Sequence, residues 1–152
     1  NFKPRLARSG LSNVHPQLIE HERDARVKRL AGKVDRVLVD APCTGSGTWR
    51  RKPDAKWRLK PQNLAQRVEE QRAVLATAAS VVKAGGRLVY VTCSVLPEEN
   101  QDQIDAFLQA NPTFSLRPIA LPGLAPADGP ETLTPHRNNT DGFFIADMQK
   151  ST

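Results

Sequence analysis

Two continuous apolar runs, each closed by a cysteine, constrain this chain more than anything else in it. The first is Val37-Leu38-Val39, which turns into Asp40-Ala41-Pro42-Cys43-Thr44-Gly45-Ser46-Gly47. The second is Leu88-Val89-Tyr90-Val91-Thr92, followed by Cys93-Ser94. Short runs without polar alternation predict strands covered on both faces, as in parallel sheets. In an open parallel sheet, ligands bind in the crevice at the C-terminal strand ends. Both sulfurs are therefore expected at the reacting edge of one sheet.

Between the runs lies the clearest helix, predicted over 61–84. Leu64, Val68, Leu75, Ala78, Ala79 and Val82 share one face at helical spacing. Pro61 suits its first turn and Gly85-Gly86 its C-terminal cap. A second helix is predicted from Pro97 to Ala110, with Glu98 and Glu99 in the first turn, where they favour the macrodipole. Further strands are predicted over 114–119 and 143–148. The segment 40–61 is expected to be a long basic loop and 122–135 a Pro/Gly-rich one. Residues 1–33 read as an N-terminal remnant: a helix end, a candidate edge strand near Asn13 to Ile19, and a charged linker. Residues 34–152 form the body of the domain. Strand, loop, helix, strand, helix is βαβ grammar, so the predicted class is α/β with a mostly parallel sheet.

The 152 residues suffice for one core. The chain opens on Asn1 and so reads as a piece of a longer protein. No apolar run approaches the length of a membrane span and no leader precedes the first element, which makes a cytoplasmic setting the expectation. Two cysteines in separate motifs make neither a disulfide framework nor a four-ligand zinc set, so no metal is expected. The net charge of +6 is uneven: residues 1–58 carry 14 Lys/Arg against 6 Asp/Glu, and residues 59–152 carry 8 against 10. A basic half beside a mildly acidic one points to a polyanionic partner, or to a merely solvated surface. No GxxxxGK[ST] and no GxGxxG occurs, so a P-loop and a dinucleotide fingerprint are both missing.

Asp40 closes a buried strand, which puts a carboxylate on the crevice floor, where it can accept hydrogen bonds from a ligand. Alone it reads rather as a strand-ending cap of the next turn, beside a small buried Cys. Pro42 donates no backbone hydrogen, and the glycines beyond Cys43 permit close approach to a ligand. Cys93 lies just past a strand end and shortly before a helix start, a position that lowers a thiol pKa. Taken singly, each thiol also reads as a small packed side chain.

Together the motifs resemble the Nop/Sun family of RNA (cytosine-5) methyltransferases, most closely the bacterial Sun (Fmu) ribosomal RNA type. The resemblance is carried by Asp40-Ala41-Pro42-Cys43-Thr44-Gly45-Ser46-Gly47, by Arg50-Arg51-Lys52-Pro53-Asp54-Ala55-Lys56-Trp57 and by Gln71. It continues through Gly85-Gly86-Arg87-Leu88-Val89-Tyr90-Val91-Thr92-Cys93-Ser94, Pro97-Glu98-Glu99-Asn100 and Asp141-Gly142-Phe143-Phe144. It implies a partial class I, Rossmann-like methyltransferase fold with S-adenosyl-L-methionine as cofactor. The family's sheet order is 3-2-1-4-5-7-6 with an antiparallel C-terminal strand. This chain would supply strands 4 to 7, with strand 3 as a candidate, the first strands missing and strand 4 at an edge.

The same resemblance implies that Cys93 adds to carbon 6 of the target cytosine and that Cys43 assists the later release. Asp40 would contact either ring nitrogen 3 of the base or the amino-acid end of the cofactor. Pro42 would line the base site. A base must leave the stack to be attacked this way. Arg50, Arg51, Lys52 and Lys56 are placed to hold RNA phosphates beside it, with Arg58 nearby. Trp49 and Trp57 interleave these charges and are candidates for base stacking, although packing beneath the loop is the expectation for Trp57. The family's glycine-rich cofactor loop lies upstream of the residues present, and the acids of Leu18 to Asp24 give no clear match to its third cofactor motif. The chain by itself is therefore expected neither to bind cofactor tightly nor to methylate RNA. The alternative reading is a non-catalytic RNA-binding module that keeps the fold. A nucleotide-dependent oxidoreductase has little support.

Overall fold

The computed structural model describes residues 2–21 and 24–152. Of the stretch Leu18 to Asp24, Glu22 and Arg23 lie outside the described residues. The chain opens with two short helices, α1 (Lys3–Ser9) and α2 (Ala25–Lys28). The candidate edge strand near Asn13 to Ile19 is not formed: residues 14–19 adopt no regular secondary structure and join no ladder. With Pro16 among them and no neighbouring strand on that side, they have nothing to pair with.

Strand β1 (Val34–Asp40) pairs in parallel with β2 (Val82–Thr92), and between them run α3 (Pro53–Arg58) and α4 (Pro61–Val81). After β2 come a 3₁₀ turn (Pro97–Glu99), α5 (Gln101–Ala110), β3 (Phe114–Leu116), β4 (Glu131–Leu133), α6 (Pro135–Asn138) and β5 (Phe143–Lys150). The sheet order is β1-β2-β5-β3, with β4 also pairing β5. Strand β5 is antiparallel to all three of its partners. It follows that β1, β2, β3 and β4 share one direction and β5 alone is reversed. That is the 4-5-7-6 portion of the expected order, with β1 at the sheet's edge.

Helices α4 and α5 cover one face of the sheet. Leu75, Ala78 and Ala79 of α4 and Ile104 and Phe107 of α5 pack on Val39, Leu88, Tyr90, Phe144, Ala146 and Met148. Alternation along β2 and β5 aims these residues inward. On the other face Leu38 is 69% exposed, so the expectation that β1 is covered on both faces is corrected. On that face Asp147 pairs with both Arg87 and Arg117, which neutralises a carboxylate that would otherwise be buried alone.

Other boundaries differ from the sequence reading: the helix predicted from Pro97 begins at Gln101 after a 3₁₀ turn, the strand predicted over 114–119 ends at Leu116, and the predicted loop 122–135 contains β4. Helix α4 ends at Val81, and Val82 already pairs with Val34, so Gly85-Gly86 does not cap it. The adjacent β-branched Val81 and Val82 favour the change to extended backbone. Lys83 to Gly86 then bulge out, with Gly85 at φ 71, before pairing resumes at Arg36 and Arg87. The 40–61 segment is not structureless. A 3₁₀ turn (Ser46–Thr48) and α3 punctuate it, the latter started by Pro53, whose fixed φ suits a first turn.

Candidate active site

Strands β1 and β2 lie side by side in parallel and end at the same edge, with Asp40 opposite Val91. The loops that leave them bring Cys43 Sγ to 3.4 Å from Cys93 Sγ. Both thiols are free and half-buried. Burial pushes the Cys43 thiol up to about 12, helped by its hydrogen bond with Cys93, so it keeps its proton at neutral pH. A protonated Cys43 beside Cys93 is a donor available to a thiolate there.

Backbone contacts fix the two loops against each other. Gly47 N donates to Cys93 O (3.0 Å), and Gly142 N donates to Gly47 O (2.8 Å). The approach needs glycine on both sides, because a Cβ on Gly47 would collide with the Gly142 carbonyl. Ser46 Oγ and Ser94 Oγ are 2.9 Å apart, and Val95 N donates to Ser46 Oγ at 2.9 Å. Three separate stretches of sequence therefore meet around the sulfurs.

A buried polar layer lies beneath them. Glu99 is fully buried and accepts hydrogen bonds from Thr44 N (2.8 Å), Thr44 Oγ1 (2.5 Å) and Gln71 Nε2 (3.1 Å). Gln71 also donates to Pro42 O at 2.9 Å and accepts from Gln103 Nε2 at 3.3 Å. Thr92 Oγ1 donates to Asn100 Oδ1 (2.6 Å), and Asn100 Nδ2 donates to Ser94 O (2.9 Å). Tyr90 OH donates to Glu99 O at 2.8 Å, and burial together with the Glu99 charge raises the Tyr90 pKa.

The sequence reading did not assign Glu99, Asn100 or Thr44 a part in this site. One signal was available. Gln71 falls between Val68 and Leu75 on the apolar face of α4, and a polar side chain there must find buried partners.

The other anticipated residues are placed as follows. Asp40 is exposed at the end of β1, and its carboxylate has no partner among the described residues. Pro42 is half-buried, its carbonyl turned to Gln71. Arg50 and Arg51 are not free cations: both pair with the buried Asp141, at 3.3 and 2.7 Å. Lys52 and Lys56 have no ion pair among the described residues, and the Lys56 ammonium lies over the rings of Trp49 (5.9 Å) and Trp57 (5.5 Å). Packing of Trp57 beneath the loop is overturned, since its side chain is 80% exposed on a helix too short to cover it. A cleft of about 240 Å³ opens between Cys43 and α3, lined by Thr44, Ala55, Arg58, Leu59, Asn63 and Arg67.

Residues 5–149 match the family described as 16S rRNA methyltransferase RsmB/F. This chain belongs to that family. Among RsmB/F relatives, the probable ribosomal RNA small subunit methyltransferase B of Bacillus subtilis is 41% identical over 155 residues, covering 98% of this chain and 34% of its own length. The ribosomal RNA small subunit methyltransferase B of Sodalis glossinidius is 47% identical over 118 residues, covering 78% of this chain and 26% of its own. The chain thus spans between about a quarter and a third of the curated relatives it matches. Among solved structures, NSun6 from Pyrococcus horikoshii with SFG superposes with a TM-score of 0.82 at 27% identity, over 99% of this chain and 38% of that one. The expected Nop/Sun membership and Rossmann-like methyltransferase fold both stand.

Proposed function

We propose that this chain carries the reacting half of an S-adenosylmethionine-dependent enzyme that methylates carbon 5 of cytosine in RNA, with ribosomal RNA as the substrate. The observation that carries the proposal is the thiol pair: two cysteines 3.4 Å apart at the C-terminal ends of adjacent parallel strands. A binding module has no use for two such thiols. Covalent addition to a base needs one group to attack and a means of undoing the adduct.

Cys93 is the attacking thiol. As a thiolate it bonds to carbon 6, and the electron pair of the 5,6 double bond moves toward carbon 5, with the charge spread over the ring. The bound cofactor supplies one thing, a transferable methyl group for carbon 5. Removal of the carbon 5 proton then restores the double bond and expels the Cys93 thiolate. Cys43 is placed for that second half. Its proton is held tightly at rest. Passed to a ring nitrogen of the anionic adduct, it leaves a strong base to take the carbon 5 proton, and the ring proton is released to solvent with the product.

SFG, bound in the NSun6 structure, is an analogue of S-adenosylmethionine. Asp40 fits a role beside such a group, because its carboxylate ends β1 without a partner among the described residues and can accept from an ammonium or from a protonated ring nitrogen 3. Pro42 then borders the base. Arg58 and Arg67 line the cleft, and Lys52 and Lys56 of the same basic segment, with Arg50 and Arg51 once released from Asp141, would serve as phosphate contacts, while the exposed Trp57 offers a stacking surface. No helix among the described residues is long and apolar enough to cross a membrane.

The test is product analysis. The intact enzyme, given RNA and methyl-labelled cofactor, is expected to yield 5-methylcytosine on nucleoside mass spectrometry. Label found on a ribose, an exocyclic amine or a uracil would refute the proposal.

A further inference from the structure

Glu99 and Asn100 are neighbours in sequence, and each reaches a different cysteine. Glu99 binds Thr44 through both N–H and hydroxyl, and through Gln71 it is linked to the Pro42 carbonyl. Those are the residues on either side of Cys43. Asn100 accepts from Thr92 and donates to the Ser94 carbonyl, the residues on either side of Cys93. Both side chains are almost completely buried, and the 3₁₀ turn that carries Glu99 is closed by Asn100 N donating to Pro97 O (3.0 Å) and tied down by Tyr90 OH on Glu99 O.

Burying a carboxylate is costly unless several donors meet it, and here three do. An uncharged side chain of similar volume would hold the fold at least as well, so stability alone does not account for this choice. What the arrangement does supply is a common origin for the positions of both sulfurs.

We propose that Glu99 and Asn100 are paired positioning residues that divide the reaction between them, Glu99 setting the thiol that resolves the adduct and Asn100 setting the thiol that forms it. The inference rests on the roles given to Cys93 and Cys43 above. Loosening one clamp should slow one half-reaction, and a misplacement of an ångström at a reacting group is enough to do so strongly.

The experiment uses the intact methyltransferase, ordinary cytosine-containing RNA and S-adenosylmethionine. It reads first-turnover methyl transfer and the amount of denaturant-resistant protein–RNA complex. In Glu99→Ala the complex should accumulate, as in Cys43→Ala, while steady-state turnover falls roughly tenfold or more. Glu99→Gln, which can still accept from Thr44 N, should restore turnover. In Asn100→Ala first-turnover methyl transfer should fall by a similar factor with no complex accumulating. Should Glu99→Ala not fold, as judged by its melting curve, Thr44→Val removes one of the same hydrogen bonds from the loop side and should accumulate complex to a smaller extent. Complex in Cys43→Ala but in neither Glu99→Ala nor Thr44→Val overturns this inference alone. Equal slowing of both half-reactions by Glu99→Ala and Asn100→Ala also overturns it. Absence of complex in Cys43→Ala overturns the thiol roles, and this division of labour with them.

Discussion

The loops that hold the thiols and the basic segment that follows them are built on opposite principles. Around Cys43 and Cys93 nearly every polar group has a buried partner, and the chain approaches itself closely enough to require glycine at 47 and 142. Across residues 50–60 all side chains but Ala55 and Leu59 are exposed, α3 is only six residues long, and the segment carries six Lys/Arg against one Asp of its own. Bond-making groups need fixed positions, because rate depends steeply on geometry. A polyanionic strand is held by charge and stacking, which tolerate movement. The difference suggests that mutations should act on rate in the first region and on RNA affinity in the second.

The largest effect that would sharpen this contrast belongs to Gly47. A side chain there collides with the Gly142 carbonyl and must push the Cys43 loop aside. Gly47→Ala is expected to reduce methyl transfer by about a hundredfold, the scale of an ångström's misplacement, with little change in RNA affinity by filter binding. A matching loss of affinity would break the division.

Trp57 comes next. Base–aromatic stacking is worth about 1–3 kcal/mol, so Trp57→Ala is expected to weaken RNA binding by about 5- to 150-fold while turnover at saturating RNA holds, and Trp57→Phe should recover most of it. Unchanged affinity would remove α3 from the interface.

For Lys52→Ala the expectation is a uniform loss across RNA sequences and a salt-dependence slope shallower by about one. Arg51→Ala should change the slope less, because Asp141 already neutralises part of that charge. Equal slopes would mean that the ion pair opens when RNA binds.

How far the sequence revealed this arrangement follows from the range of the interactions. The strands, α4 and α5 were legible because apolar periodicity reflects burial directly, and Cys43 and Cys93 because a strand-end position can be read from a run and its terminus. The end of α4 was not, since Gly85-Gly86 looks like a cap and turns out to serve a bulge set by the pairing of Val82 with Val34. Glu99 was read as a first-turn acid because that role is local. Its buried partners, Thr44 and Gln71, stand 55 and 28 residues away. The Arg50 and Arg51 pairing with Asp141 likewise spans a distance no local pattern encodes. Trp57 was misjudged because an aromatic residue carries no mark of exposure.

The smallest expected effect is on stability at high pH. The folded state holds the Cys43 proton up to about 12, against 9.0 for an unperturbed thiol. Its stabilising contribution is therefore complete below about pH 9 and is lost as pH rises toward 12. The raised Tyr90 pKa acts in the same direction. Melting temperature should decline through this range, and less steeply in Cys43→Ser. A parallel decline in both proteins would show that the thiol does not titrate as described.

The central claim is that Cys93 attacks and Cys43 releases. RNA carrying 5-fluorocytosine at the target has no carbon 5 proton to lose, so it traps the adduct after methyl transfer. Incubated with the intact enzyme and S-adenosylmethionine, this RNA should give a covalent complex in wild type and in Cys43→Ala, and none in Cys93→Ala. A complex that survives loss of Cys93 and disappears with Cys43 would contradict the account.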